Sequence, residues 1–333
     1  SVRGKGNLGV QPICATEPSQ SQRSRSLRKF WIYVIIQPIS YSFRWRFFIF
    51  KLSRGGNNVP AEVQRWQYFL LKNNIPQVGI IDAIFGSNSE TGTKVFQMQN
   101  GLTANGRVDE KTLKAAATLG YNILPKDYYK KRSGIDWLPK PAKLKSPTNA
   151  WRNKKFTAFD FIQKSKPPRH DEEAIVVKGS HDGKSSDWEE DFIVNFYDNR
   201  FEFASGYRGY IRCHKPMVPR IKSLLDDWED ASLLHLVLNY AGCFVPRYKR
   251  DKAPHPTKGH GKKSSAKVSN LSNHSFGSAI DISTHWNRWK KTPALCGNKG
   301  SVRELVEIAN NAGFYWGGHY NKTKDGMHFE MAK

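Results

Sequence analysis

The chain has 333 residues, 38% hydrophobic and 13% aromatic, enough length and apolar material for two packed modules. Its net charge of +24 invites nucleic acid as a partner, yet residues 1–56 carry +9, residues 122–155 carry +8 and residues 251–267 carry +4, leaving +3 for everything else. A nucleic-acid module concentrates charge on a folded face, so this distribution argues against specific nucleic-acid binding. It suits contact of cationic segments with an anionic wall polymer or lipid surface.

Residues 1–56 read as a basic leader. The stretch 18–29 is rich in Ser, Gln and Arg and has the composition of a disordered segment. Between Phe30 and Phe50 the chain is apolar for only about ten residues before Pro38, with Arg44 and Arg46 further on, and a membrane span needs roughly twenty. Weak membrane-surface association, a degraded signal and sequence foreign to the mature protein all stay open. Four cysteines, Cys14, Cys213, Cys243 and Cys296, show no C-x-x-C spacing, so they indicate neither a zinc ribbon nor a redox motif; the disulfide state is open.

Residues 57–121 form a separate helical unit. Val63, Trp66, Phe69 and Leu70 recur at helical spacing, Glu90 to Gln99 gives a second helix with Val95 and Phe96 inward, and Asp109 caps a third that runs to Leu119. The connections Asp82-Ala83-Ile84-Phe85-Gly86 and Asn100 to Gly106 carry turn chemistry. The order Gln67, D-x-x-F-G, Phe96-Gln97, Gly101-Leu102 and Gly106-x-Val108 is similar to the peptidoglycan-binding domain attached to many wall hydrolases, although Gly92 stands where a better helix former is usual. A generic three-helix bundle is the plainer reading of the same residues.

Residues 122–155 hold Pro125, Pro139, Pro141 and Pro147 among lysines. The segment reads as a stiff linker that keeps two modules apart while both meet one polymer. A second module is expected over 156–333, with strands at Ala174 to Val177 and Phe192 to Phe196 and helices at Met217 to Ala231 and Arg303 to Ala312. That mixture is an α+β fold with a small antiparallel sheet. Residues 251–267, rich in Lys, Gly, Pro and His, read as a mobile loop.

The chemistry lies in Ser272-Asn273-His274-Ser275-Phe276-Gly277-Ser278-Ala279-Ile280-Asp281 and in Asp325-Gly326-Met327-His328-Phe329-Glu330. Two imidazoles and a carboxylate, His274, His328 and Asp281, supply an N, N, O set suited to one Zn²⁺ with a fourth position left for water. Asp325 is placed to take that water's proton. Alternation from Ser278 to Ser283 puts Ala279, Asp281 and Ser283 on one strand face and Ile280 and Ile282 on the other, and the same period puts His328 and Glu330 together. Gly277 lets the chain turn between two ligands. Glu330 either orients a ligand imidazole or is a polar strand residue, with the first favoured. His214, His235, His285 and His319 stand outside the pattern.

The pattern S-x-H-x-x-G-x-A-x-D followed by D-x-x-H-x-E resembles the M15 family of zinc peptidases, the D-alanyl-D-alanine carboxypeptidase and phage endolysin group. The resemblance extends through Gly242 to Arg247, Leu271 to Asn287, Gly300 to Leu305 and Gly313 to His319. It implies that His274, Asp281 and His328 hold zinc and that Asp325 is the catalytic carboxylate, a Glu in other branches. It also implies an arginine upstream of the first ligand that clamps substrate carboxylate or oxyanion, with Arg247 preferred over Arg250. The expectation is a monomeric, zinc-dependent peptidase acting on the peptidoglycan stem peptide, outside the cytoplasm of a bacterium, in periplasm or wall, or phage-encoded and wall-targeted. The alternative is a non-catalytic wall-binding protein that keeps the zinc site as scaffold. Which stem-peptide bond is cut is not readable from these motifs.

Overall fold

The computed structural model describes residues 50–164, 174–250, 252 and 270–333. The expectations for the leader, for Cys14 and for most of the 251–267 loop fall outside the described residues. The described residues form one compact unit.

Three helices open it: α1 (Pro60–Lys72), α2 (Ser87–Gln99) and α3 (Glu110–Thr118). Proline at the start of α1 costs no hydrogen bond there, and Asp109 caps α3 by accepting from Thr112 N at 2.9 Å. Trp66, Leu70 and Phe96 are almost wholly buried in a common core, each worth about 1.5–3 kcal/mol of burial. Two buried glutamines brace the connections. Gln67 donates to Asp82 Oδ1 at 2.7 Å and accepts from the amides of Asp82 and Ala83 at 3.0 Å. Gln97 donates to Arg107 O at 2.8 Å and accepts from Gly106 N at 2.9 Å. Gly92, the poor helix former, is a contact residue: a Cβ there would meet Leu70 and Val78 at 3.1 Å.

The α+β expectation is met by the rest. After α4 (Asn149–Lys155), β1 (Phe159–Gln163) pairs with β2 (Ile175–Ser180). Helix α5 (Trp188–Phe192) leads into β3 (Ile193–Tyr197), which pairs with β4 (Tyr210–His214). Helix α6 (Val218–Asp230) packs Ile221, Leu224, Leu225 and Trp228 into the core. A three-stranded sheet carries β5 (Ala279–Asp281) and β6 (Phe314–Trp316) on either side of β7 (His328–Met331), with α7 (Arg303–Asn311) between β5 and β6 in the chain. The four strand pairings among the described residues are antiparallel.

One expectation fails. Residues 122–155 do not hold the modules apart, because the segment lies along the second module and the helical bundle is docked against it. Gln64 on α1 donates to His235 O at 2.7 Å and accepts from Gly300 N at 3.3 Å, while Ala61 N donates to Gly297 O at 3.2 Å. Tyr68 packs edge-on against Phe203 with ring centroids 5.0 Å apart. Tyr129, from the supposed linker, is buried with Ala61 and Cys296. The Arg303 side chain donates to Ile135 O at 2.9 Å and also reaches Trp137 O. Pro and Lys content reports exposure and restricted backbone, and a docked strap has both, so composition alone does not separate it from a spacer.

Candidate metal centre

His274 sits in a short 3-10 turn, Asn273–Phe276, capped by the Ser272 hydroxyl, which accepts from His274 N at 3.3 Å. Gly277 ends that turn in the left-handed region at φ 58°, and a Cβ there would lie 2.6 Å from His214 N. Only glycine meets both conditions. The chain then enters β5, whose register sets Asp281 directly opposite His328 on β7 and Ala279 opposite Glu330. Side chains directly opposite on neighbouring strands meet on one face. Gly317 lets β7 approach: a Cβ there would strike Asp325 O at 2.4 Å.

These elements bring three ligand-type atoms together. His328 Nδ1 lies 3.0 Å from Asp281 Oδ1, His274 Nε2 lies 3.1 Å from the same oxygen, and the two nitrogens are 3.0 Å apart. Tetrahedral zinc with N and O ligands at about 2.0–2.1 Å spaces neighbouring ligands about 3.3 Å apart, so the triangle is close to the required size. The outward nitrogens are held as well: His274 Nδ1 is 3.0 Å from Cys243 O and His328 Nε2 is 3.2 Å from Glu330 Oε2. A carbonyl and a carboxylate can only accept there, which sets the N–H outward and turns both lone pairs inward. Among the described residues this is the group able to hold a metal ion.

The electrostatics agree. Burial lowers the His274 pKa, with Arg247 and His328 adding to it against Asp281, so the imidazole is neutral. Burial alone would lower His328 too, but Asp281 and Glu330 outweigh it and hold the ring up to about 10. Burial likewise opposes ionisation of Asp281, and His274 and His328 overcome it. The carboxylates flanking His328 therefore demand one positive charge between them, which a proton or a metal cation satisfies.

A cleft of about 260 Å³ opens over this group, lined among others by Asp325, Arg247, Arg250, Trp289, Tyr320 and Ser146. Burial, then the charge of Asp281, raises the Asp325 carboxyl to about 6, and its Oδ1 is buried without a hydrogen-bond partner among the described residues. Arg247 is buried, its Nη2 3.7 Å from Asp281 Oδ2, and its backbone is gripped by Ser275, whose hydroxyl accepts from Arg247 N at 2.8 Å and donates to Arg247 O at 2.6 Å. Arg250 lines the same cleft, its guanidinium 5.9 Å from the centre of the Trp289 ring. The other described histidines stay clear of the ligand triangle: His181 meets Asp160 Oδ1 at 2.8 Å, His214 packs among Phe156, Trp188 and Phe192, His235 lies under α1, His319 meets Leu138 O at 3.0 Å and His285 packs on Trp286.

Glu330 has more company than its place in the motif suggests. Asn273 donates to Oε2, Ser146 donates to Oε1 at 2.6 Å, and the Tyr320 hydroxyl hydrogen-bonds the same carboxylate. Asn273 stands inside the ligand motif, where its neighbours signal a role. Ser146 and Tyr320 carry no such signal.

Two imidazoles and a carboxylate converge on one point, a group that could hold a metal ion, with a partly buried acid beside them and an open cleft above. Residues 266–331 match the family model described as D-alanyl-D-alanine carboxypeptidase, of the M15 peptidases. Residues 60–116 match the putative peptidoglycan binding domain. Together these matches support a peptidase that acts on the cell wall. The first spans His274, Asp281, Asp325, His328 and Glu330 and stops short of Arg247. No curated protein and no solved structure matches the chain. Among the described residues no helix is long and apolar enough to cross a membrane.

Proposed function

We propose that the chain is a zinc-dependent peptidoglycan peptidase that hydrolyses an amide bond of the stem peptide. The observation that carries this reading is the convergence of His274 Nε2, His328 Nδ1 and Asp281 Oδ1 within 3.0–3.1 Å of one another, with both outward ring nitrogens pinned to acceptors. These three residues would hold one Zn²⁺. Zinc, when bound, lowers the pKa of its water towards neutrality and polarises the scissile carbonyl.

The chain's own groups do the rest. Asp325, raised to about 6 chiefly by burial, stands close enough to neutrality to take a proton from the attacking water and return it to the leaving amine. Arg247 faces the same cleft and offers a fork of donors to the negative charge that develops on the carbonyl oxygen or to a substrate carboxylate; Arg250 is the second candidate. Glu330 holds the His328 ring by its Nε2–H. All the proposed groups come from one chain, and the proposal treats the active unit as a monomer. The bundle of residues 60–116 holds the wall, and the site of action is outside the cytoplasm, in periplasm or cell wall.

Purified peptidoglycan incubated with the protein, with and without chelator, tests the proposal. Mass spectrometry should find stem-peptide fragments released by the metal-loaded protein and none after chelation. Intact wall in both samples would leave the rival reading, a wall-binding scaffold without turnover.

A further inference from the structure

The segment between the two matched regions completes the metal centre. We infer that Ser146, on the strap of residues 134–147, is a positioning residue for the zinc site, acting on His328 through Glu330. The inference rests on the zinc-peptidase reading above and concerns residues outside both family matches.

The strap is fastened at several points before it reaches the site. Arg303 takes Ile135 O at 2.9 Å, His319 Nε2 meets Leu138 O at 3.0 Å, Lys140 reaches Asn321 Oδ1 at 2.8 Å, and Lys333 N donates to Lys145 O at 3.0 Å. Ser146, the next residue, donates to Glu330 Oε1 at 2.6 Å, while Oε2 of the same carboxylate lies 3.2 Å from His328 Nε2. Glu330 is 0% exposed, so protein groups alone fix its orientation. With Oε1 on Ser146, Oε2 on Asn273 and His328, and the Tyr320 hydroxyl on the same carboxylate, Glu330 is held in one rotamer, and that rotamer sets the His328 ring plane and tautomer.

The same segment secures the other histidine. Arg152 on α4 is buried, donates through Nη1 to Leu271 O at 2.8 Å and Asn273 Oδ1 at 3.0 Å, and lies 4.2 Å from the centre of the Phe276 ring. Those three residues frame the turn that carries His274. Metal affinity is therefore a property of the strap and the peptidase sheet together.

The test is zinc affinity of the full chain, measured by competition with a fluorescent zinc chelator. Loss of an outer partner of a metal ligand weakens affinity by about 10–100-fold, and Ser146 acts one bond further out. Ser146→Ala should lower zinc affinity by about 10-fold, with an unchanged far-UV spectrum and unchanged pelleting with insoluble wall. Ser146→Thr, which keeps the hydroxyl, should bind zinc like the parent, and Ser146→Val, of the same shape without it, should bind like Ser146→Ala. That Thr and Val comparison holds even if the smaller side chain perturbs folding. Parental affinity in Ser146→Ala and Ser146→Val overturns the inference and leaves the zinc reading standing; failure of the parent to bind zinc overturns both.

Discussion

The three proposed ligand residues and Asp325 stand out one by one in the sequence because a metal centre needs particular atoms, and His, Asp and a neighbouring carboxylate leave few substitutes. His328→Ala removes a corner of the triangle and leaves Asp281 and Glu330 facing a gap, so the protein should lose its zinc, read by metal analysis after gel filtration; retention of one zinc per chain would remove His328 from the ligand set. Ser146 and Tyr320 are not legible, because a hydroxyl that touches a buried carboxylate looks the same in sequence as one that faces water. Glu304 is a similar case. It is buried at the start of α7 beside Cys296, and burial raises its carboxyl to about 7 against the Cys296 hydrogen bond and the charges of Arg65 and Arg132. Its unfolded pKa is about 4.3. As pH rises from about 4.5 to 7 the unfolded chain gives up this proton while the folded chain keeps it, so this contribution to stability falls across that window. The loss is on the order of 3 kcal/mol. Glu304→Gln should flatten the decline, as followed by urea denaturation at successive pH values.

Helices and strands were expected close to where they lie because their periodic patterns are strong: α6 and α7 begin and end within about two residues of the expected positions. What periodicity cannot give is which strand lies beside which. The pairing of β5 with β7, which sets Asp281 opposite His328, joins segments 47 residues apart, and here the match of two ligand motifs says more than local propensity. The turn between His274 and β5 is the most exacting element. Alanine at Gly277 would take a left-handed conformation at about 1–2 kcal/mol and place its Cβ 2.6 Å from His214 N. Gly277→Ala should therefore lose about 2 kcal/mol or more in chemical denaturation and weaken zinc binding along with it. An unchanged midpoint would mean that the turn has room the contacts do not show.

At the scale of the whole molecule the sequence suggests two modules on a spacer, and the structure has a bundle locked to a peptidase by buried polar contacts. Buried Gln64 satisfies a carbonyl and an amide of the second module at once, and Glu62 on α1 accepts from Tyr129 of the 122–155 segment at 2.8 Å. Such contacts cost their full desolvation when one partner is removed. Calorimetry of the intact protein should show the bundle and the peptidase unfolding in one transition, and a chain starting at residue 122 should melt well below it. Two separate transitions, with the peptidase transition unmoved by the truncation, would restore the spacer. Docking also sets the bundle in one orientation to the cleft, so on the proposed reading the site would work at a fixed offset from its anchor. The basis of this was hidden because Gln64 and Ala61 look like ordinary helix residues until the partner surface is known.

In the proposed mechanism a carboxylate beside a His, Asp, His zinc centre turns over wall peptides. The most direct measurement is the amine released from purified peptidoglycan by zinc-loaded Asp325→Asn, with metal content read on the same sample. Asp325 stands outside the ligand triangle, and an amide cannot accept the water's proton. A full complement of zinc and a rate lower by about 10²-fold or more are expected. Hydrolysis near the parental rate with zinc in place would contradict it.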